Sequence, residues 1–255
     1  MTLSLRKIVC QCILAFGVAA ALVTSAAAQR GNIQSVTFYT VKPDRIGDFL
    51  AEIKEYNALM AKGGSTNYAS MWVSLTGPRE YVRASYYHTW AELDAGPDSK
   101  LKDEAADLAR VSTRITDCTA GSRRVIAEIQ PDLSLDLLTD TPKMIRVLTT
   151  DVRPEHFNDY LALVKSDILP AAQKAGLKIY QFSETRYGAS SAQVTSIVPM
   201  DSWSELDQPY GVEKALGKDG YEALRAKIRP LIVESVYNEY RFLPDVSYMA
   251  PATAK

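Results

Sequence analysis

"HTWAELDAG", residues 88–96, returns as "DSWSELDQP", residues 201–209, so that Trp-x-Glu-Leu-Asp stands twice in one chain. In both places a hydroxyl residue lies three positions before a glutamate, Thr89-x-x-Glu92 and Ser202-x-x-Glu205. This is the capping-box pattern, in which hydroxyl and carboxylate each accept a backbone N–H at a helix start. Losing such a cap costs about 1 kcal/mol, which is a structural reason to keep it twice. The spacing predicts helical segments opening at Trp90 and Trp203, with Leu93 and Leu206 turned inward.

Two more landmarks recur in the same order. "TVKPDRIGDFL" from Thr40 matches "DVRPEHFNDYL" from Asp151, and "IQPDLSL" from Ile129 matches "FLPDVSY" from Phe242. The prolines and tryptophans of the three pairs are offset by 111, 113 and 113 positions (Pro43 to Pro154, Trp90 to Trp203, Pro131 to Pro244). A nearly constant offset over three ordered matches is the signature of an internal repeat. The chain therefore reads as a tandem duplication, with one unit over residues 33–135 and a second over 144–248.

Each unit can be read once and checked against the other. Ile33–Val41 and Met144–Val152 are rich in Val, Ile, Thr and aromatics and suit strands. Pro43 and Pro154 follow two residues on, where fixed φ and a missing donor fit a helix's first turn. Phe49, Leu50, Ile53, Tyr56, Leu59 and Met60 then fall on one helical face, as do Phe157, Tyr160, Leu161, Val164 and Ile168. Gly63-Gly64 and Gly176 end these helices. Strand pairs 67–76 with 80–88, and 178–187 with 192–200, are joined by "TGPR" and "YGASS" and read as antiparallel hairpins. The Trp-x-Glu-Leu-Asp segment and a longer helix reaching Thr113 or Ile228 come next. A last strand, 122–129 or 235–242, closes each unit before proline.

The order β-α-β-β-α-β is the ferredoxin-like unit, whose sheet carries helices on one face only. The bare face needs cover, and the nearest partner is the duplicate. The expected fold class is thus α+β, two tandem ferredoxin-like units whose antiparallel sheets pack against each other into an intramolecular pseudo-dimeric barrel.

The N-terminus, "MTLSLRKIVCQCILAFGVAAALVTSAAAQ", has basic Arg6 and Lys7, an apolar stretch over residues 8–23 and small residues to Ala28. This pattern predicts a signal peptide over residues 1–28, and the apolar stretch falls short of the roughly 20 residues a spanning helix needs. The expected location is periplasmic or secreted. Cys10 and Cys12 would leave with the signal, and Cys118 alone permits no internal disulfide. The 29 basic and 30 acidic side chains, less Arg6 and Lys7, leave a mildly acidic chain without the positive field that nucleic acid or anionic lipid demands.

The Val-Lys/Arg-Pro helix start, the strand ends "YHTWAEL" and "PMDSWSEL", and the closing "IQPDLS" and "LPDVSY" together resemble the NIPSNAP-like and antibiotic-biosynthesis-monooxygenase-like proteins of the dimeric α+β barrel superfamily. The likeness spans about residues 33–248 and marks fold positions more than chemistry. It implies a ligand held between sheet and helices or inside the barrel. The superfamily includes cofactor-free oxygenases, haem enzymes, isomerases and proteins of no known activity.

Haem-binding members use a helix histidine, and this chain has two histidines, His88 and His156. His156 falls in the first turn of a helix, an ordinary place for an exposed polar side chain, so no cofactor is expected. His88 ends a strand after Tyr86 and Tyr87, and its intrinsic pKa near 6.5 suits a base or proton relay. Asp201 stands at the matching position, and both precede a helix start, so a plain polar position is the competing reading. No metal motif, nucleophile elbow or phosphate-cradling loop is present.

Polar and aromatic residues on strands form the remaining candidate set: Tyr39, Tyr68 and Trp72 with Ser70 and Ser74 from the first unit, and Arg146, Gln181, Glu184 and Arg186 from the second. They are expected to line a ligand cavity with an aromatic and a charged wall. The favoured function is binding of a small apolar or aromatic molecule in the barrel. The alternatives are a cofactor-independent monooxygenase or isomerase using His88, and a structural protein without ligand. The expected assembly is a monomer with an internal pseudo-dimer, or a homo-oligomer.

Overall fold

The computed structural model describes residues 31–95, 101–136, 142–209 and 211–248. The leader segment lies outside the described residues. Two strands have the bounds that the sequence predicts, β1 (Ile33–Val41) and β5 (Met144–Val152). The remaining strands are β2 (Ala69–Ser74), β3 (Tyr81–Tyr87), β4 (Thr119–Ile129), β6 (Gln181–Tyr187), β7 (Gln193–Met200) and β8 (Ile232–Phe242). The last strand of each half starts three residues earlier than expected.

Pro43 and Pro154 each open a three-residue 3-10 turn rather than the α-helix itself. Helix α1 (Ile46–Lys62) then runs unbroken and buries Phe49, Ile53, Asn57 and Met60. Its counterpart, expected as one helix up to Gly176, is interrupted: α4 (Phe157–Leu163), a π-turn over Val164–Ile168, and α5 (Leu169–Lys174). Pro170 supplies the reason, because its ring nitrogen has no hydrogen to donate and its ring crowds the preceding turn. A π-turn absorbs that break without ending the helix.

The two tryptophan motifs differ in form. Trp90 opens α2 (Trp90–Ala95), whereas Trp203 opens a 3-10 turn over Trp203–Asp207. Helix α3 (Ala105–Asp117) runs past Thr113, and α6 (Val212–Ile228) ends where predicted. Gly217 breaks α6 with φ 68° and ψ 174°, a conformation open to glycine and not to side-chain-bearing residues.

All eight strands join in one closed antiparallel barrel, in the order β1-β3-β2-β8-β5-β7-β6-β4. The expected barrel is formed, and the two sheets close it by pairing edge to edge. Each four-strand sheet ends in two edges, and an edge presents unpaired N–H and C=O groups. The halves satisfy these edges mutually. Strand β2 pairs β8 from Trp72↔Phe242 to Ser74↔Tyr240, and β4 pairs β6 from Ile126↔Tyr187 to Ile129↔Ser183.

Side chains reinforce both seams. At the first, buried Glu239 accepts Arg146 Nε at 3.0 Å and Thr76 Oγ1 at 3.0 Å. At the second, Glu128 and Glu184 oppose one another across the ladder, and Arg186 lies between them at 2.7 Å and 2.9 Å. Two facing carboxylates would repel, and the shared guanidinium cancels that repulsion.

Period-two alternation sorts the strand residues into two environments. Trp72, Val82, Ile145 and Tyr240, from both halves, pack together with Val36, Phe38 and Phe242, and no helix contributes to that cluster. They occupy the barrel interior. The opposite strand faces pack on helices: Met71, Val73 and Tyr81 with Phe49 and Val111 in the first half, Phe182 and Val194 with Tyr160, Val164 and Leu224 in the second.

The seams differ in burial, and this gives an expectation for stability. The Glu239 side chain is 6% exposed and that of Glu128 is 35% exposed. Glu239→Ala removes a buried carboxylate bound to both Arg146 and Thr76 and should lower the urea-unfolding free energy by about 3 kcal/mol. Glu128→Ala should cost about 1 kcal/mol or less, because its pair with Arg186 is solvent-screened.

Candidate functional site

A cavity of about 660 Å³ lies between the outer sheet face of the second half and its helices. Strand β5 contributes Arg146, Leu148 and Thr150, β7 contributes Ser196 and Val198, and β8 contributes Ser235 and Tyr237. These positions alternate along their strands, so one face of three adjacent strands forms the floor. The roof comes from Tyr160 of α4, Ile168 of the π-turn, and Tyr221, Leu224 and Ile228 of α6. Leu206, the leucine of the second Trp-x-Glu-Leu-Asp segment, closes one side, as its inward orientation predicts.

The polar groups of the cavity are hydroxyls, the Gln208 amide, the Glu213 carboxylate and the guanidinium groups of Arg146, Arg225 and Arg229. Tyr160 is bonded to Thr150, whose Oγ1 lies 3.0 Å from Ser235 Oγ. Tyr180, at the base, is bonded to Ser196. Arg146 is held by Glu239 and lies 5.3 Å from the centre of the Tyr237 ring. Burial, and behind it the adjacent Tyr160, pushes the Tyr180 phenol well above its ordinary range. Desolvation raises Tyr160 as well, and desolvation followed by neighbouring Tyr221 raises Tyr237. At neutral pH these phenols stay protonated. The cavity therefore offers neutral phenol donors, Arg146 fixed by Glu239 on its floor, Arg225, Arg229 and Glu213 on its helix side, and apolar walls of leucine, isoleucine and valine.

The residues singled out from the sequence fall in four places. Arg146 lines this cavity. Trp72 and Tyr68 face the barrel interior, where Tyr68 packs against Tyr86 with ring centres 5.6 Å apart. Gln181 shares that face, since it alternates with Phe182, which packs on the helices. Tyr39 is on the outer face of the first half against Phe49. Glu184 and Arg186 are committed to the β4–β6 seam. The expected single cavity with an aromatic and a charged wall is thus not formed, because register puts these side chains on opposite faces of the sheet.

His88 is exposed and outside the cavity, its backbone N–H donating to Glu92 at 2.7 Å within the capping box. Thr89 Oγ1 accepts the Glu92 N–H at 3.2 Å, and at the second motif Glu205 accepts the N–H groups of Asp201 and Ser202 at 2.5 Å and 3.2 Å. His156, the other histidine, pairs with Asp159 at 3.1 Å on the surface. No group of three or more histidine, cysteine, aspartate or glutamate side chains suited to a metal ion occurs among the described residues.

The tyrosines of the cavity escape a reading by hydrophobic period alone, which scores Tyr160 as an apolar helix position. The usable signal is the coincidence of hydroxyls on one strand face, Thr150, Ser196 and Ser235, opposite phenols on the helix stripe.

The fold is shared with solved structures. An "anthrone oxidase-like protein" superposes with a TM-score of 0.58 at 15% identity, covering 89% of this chain and 98% of that one. A "putative monooxygenase" from Fusobacterium nucleatum subsp. nucleatum gives 0.56 at 13% identity, over 83% of this chain and 92% of that one. Chlorite dismutase from Candidatus Nitrospira defluvii gives 0.52 at 9% identity, over 87% and 95%. At such identities the likeness is one of architecture alone, a closed eight-stranded antiparallel barrel with helices packed outside it. No protein-family model and no curated sequence matches the chain.

The raised phenols fix how stability depends on pH. A tyrosine whose folded pKa exceeds its unfolded value of about 10 contributes fully below that pH and loses its contribution as pH rises through the folded value. Unfolding free energy should therefore fall above about pH 10. Tyr180→Phe should flatten that fall and cost about 1 kcal/mol at neutral pH through the lost hydrogen bond. Urea titrations at a series of alkaline pH values check both.

Proposed function

We propose that the chain binds a planar aromatic molecule bearing phenol or carbonyl oxygens in the outer cavity of its second half. The observation that carries this reading is the pairing of apolar walls with neutral tyrosine donors and Arg146, in a space of about 660 Å³. A ligand of that class fills a cavity of a few hundred cubic ångströms and leaves its oxygens to the hydroxyls and the guanidinium. Charged phenolates in the wall would repel an electron-rich ligand, and a phenol, with its ordinary pKa near 10, is neutral at neutral pH.

A second reading, favoured by the names of the structural relatives, is a cofactor-independent oxygenase acting on the same ligand. For an anthrone, the methylene carbon would lose two hydrogens and gain one oxygen from O2, the other oxygen leaving as water. Arg146 would stabilise the enolate formed when a solvent water takes the first proton of the methylene. This reading runs through Arg146 and not through the exposed His88. Residues 1–28 act in our proposal as a signal peptide, so that the protein works in the periplasm or outside the cell. The two halves, 33–135 and 144–248, derive from one duplicated unit, of which the second retains the ligand cavity. The mature chain acts as a monomer with this internal pairing, or as a homo-oligomer.

Titration of the purified protein with 1,8-dihydroxyanthraquinone, followed by its absorbance, tests the binding site. Saturable binding is expected, weakened about fivefold in Tyr237→Phe, since one hydrogen bond is worth about 1 kcal/mol. Leu148→Trp should fill the cavity and abolish binding, and unchanged affinity in that variant would refute the site. Oxygen uptake with 1,8-dihydroxyanthrone separates the two readings: uptake lost in Leu148→Trp indicates the oxygenase, and binding without uptake indicates the carrier.

A further inference from the structure

The first half carries a different set of side chains on the face that forms the cavity floor in the second. Across three adjacent strands, Arg83 of β3, Thr37 of β1 and Arg124 of β4 are in register. Neighbouring strands lie about 4.8 Å apart, so the two arginine backbones are about 10 Å apart with the short threonine between them. Both side chains leave the same face of the sheet.

Neither arginine forms an ion pair with a carboxylate among the described residues. Arg83 donates from Nη2 to Asn57 Oδ1 at 3.1 Å and lies 5.2 Å from the centre of the Tyr56 ring. Its Nη1 is buried and has no hydrogen-bond partner among the described residues. Arg124 donates from Nε to Ser35 Oγ at 2.7 Å, and its side chain is open to solvent. Both guanidinium groups act electrostatically on the Tyr39 phenol, which is itself bonded to Thr37, so the four side chains share one neighbourhood. Arginines on the helices and at the β4–β6 seam do pair: Arg114 binds Glu52 and Glu55, Arg110 binds Glu55 and Asp107, and Arg186 binds Glu128 and Glu184.

A buried guanidinium nitrogen without an acceptor is costly, and an arginine pair without a counter-charge is an anion site in waiting. The fork of a guanidinium matches the two oxygens of a carboxylate, and the rings of Tyr56 and Tyr39 flank the position. We propose that the outer face of the first half holds a second ligand site, which takes the carboxylate of a small aromatic acid between Arg83 and Arg124. This site uses none of the residues of the second-half cavity, so either can fail without the other.

Isothermal titration calorimetry of the purified mature chain with benzoate tests it, with inorganic phosphate as a separate arm. One saturable benzoate site per chain is expected, at least about tenfold weaker in Arg83→Gln and in Arg124→Gln, the loss that a charge-assisted bidentate contact brings. Tyr237→Phe should leave benzoate binding unchanged. Arg124 is exposed, so Arg124→Gln decides the matter if Arg83→Gln fails to fold, with circular dichroism confirming the fold of each variant. The absence of a saturable benzoate heat, benzoate affinity unchanged in Arg124→Gln, or phosphate bound more tightly than benzoate would each overturn the proposal.

Discussion

Barrel closure depends on two short backbone seams. Each half has a four-strand sheet with two open edges, and an edge strand in water is a template for unwanted pairing. Pairing β2 with β8 and β4 with β6 removes all four edges at once. The ladders there are brief, three residue pairs at one seam and four at the other, so side chains add to what the backbone supplies. Glu239, bound by Arg146 and Thr76, and Arg186, bound by Glu128 and Glu184, supply that reinforcement.

Closure also decides where chemistry can sit. Once the sheet is closed, one strand face must fill the interior, and Trp72, Val82, Ile145 and Tyr240 do so. The other face meets helices, and ligand space arises where helix and sheet separate. In the first half, Arg114 reaches from α3 to Glu52 and Glu55 of α1 and clamps the two helices together. In the second half the roof is irregular, with a π-turn before Pro170 in one helix and Gly217 breaking the other. The π-turn borders the cavity through Ile168, and Arg146 serves both the seam and the cavity wall.

Much of the fold was legible because local signals agreed. Strand β-branching, proline at helix starts, glycine at their ends and the capping boxes all pointed to β-α-β-β-α-β in each half, and β1 and β5 match to the residue. That the halves join in one barrel was legible from the bare sheet faces, but which edges pair was not, since hydrophobic period says which face is buried and nothing about the edges. The π-turn was missed because the stripe from Phe157 to Ile168 reads as an ordinary helix until the effect of Pro170 is traced backwards. Among site residues, Arg146 was found because a charged residue on a core strand needs a partner. Glu184 and Arg186 satisfied the same criterion for a different reason, as they neutralise Glu128 across a seam that only the closed barrel creates. The tyrosines stayed hidden because a phenol counts as apolar in a helix pattern, while its hydroxyl shows only against the facing strand.

The central claim is that the ligand lies outside the barrel wall, beneath the helices of the second half. A crystal structure of the protein bound to 1,8-dihydroxyanthraquinone tests it most directly. The account predicts density between β5, β7, β8 and α6, with ligand oxygens within hydrogen-bond reach of Arg146 and Tyr237. Density inside the barrel, against Trp72 and Gln181, would contradict it.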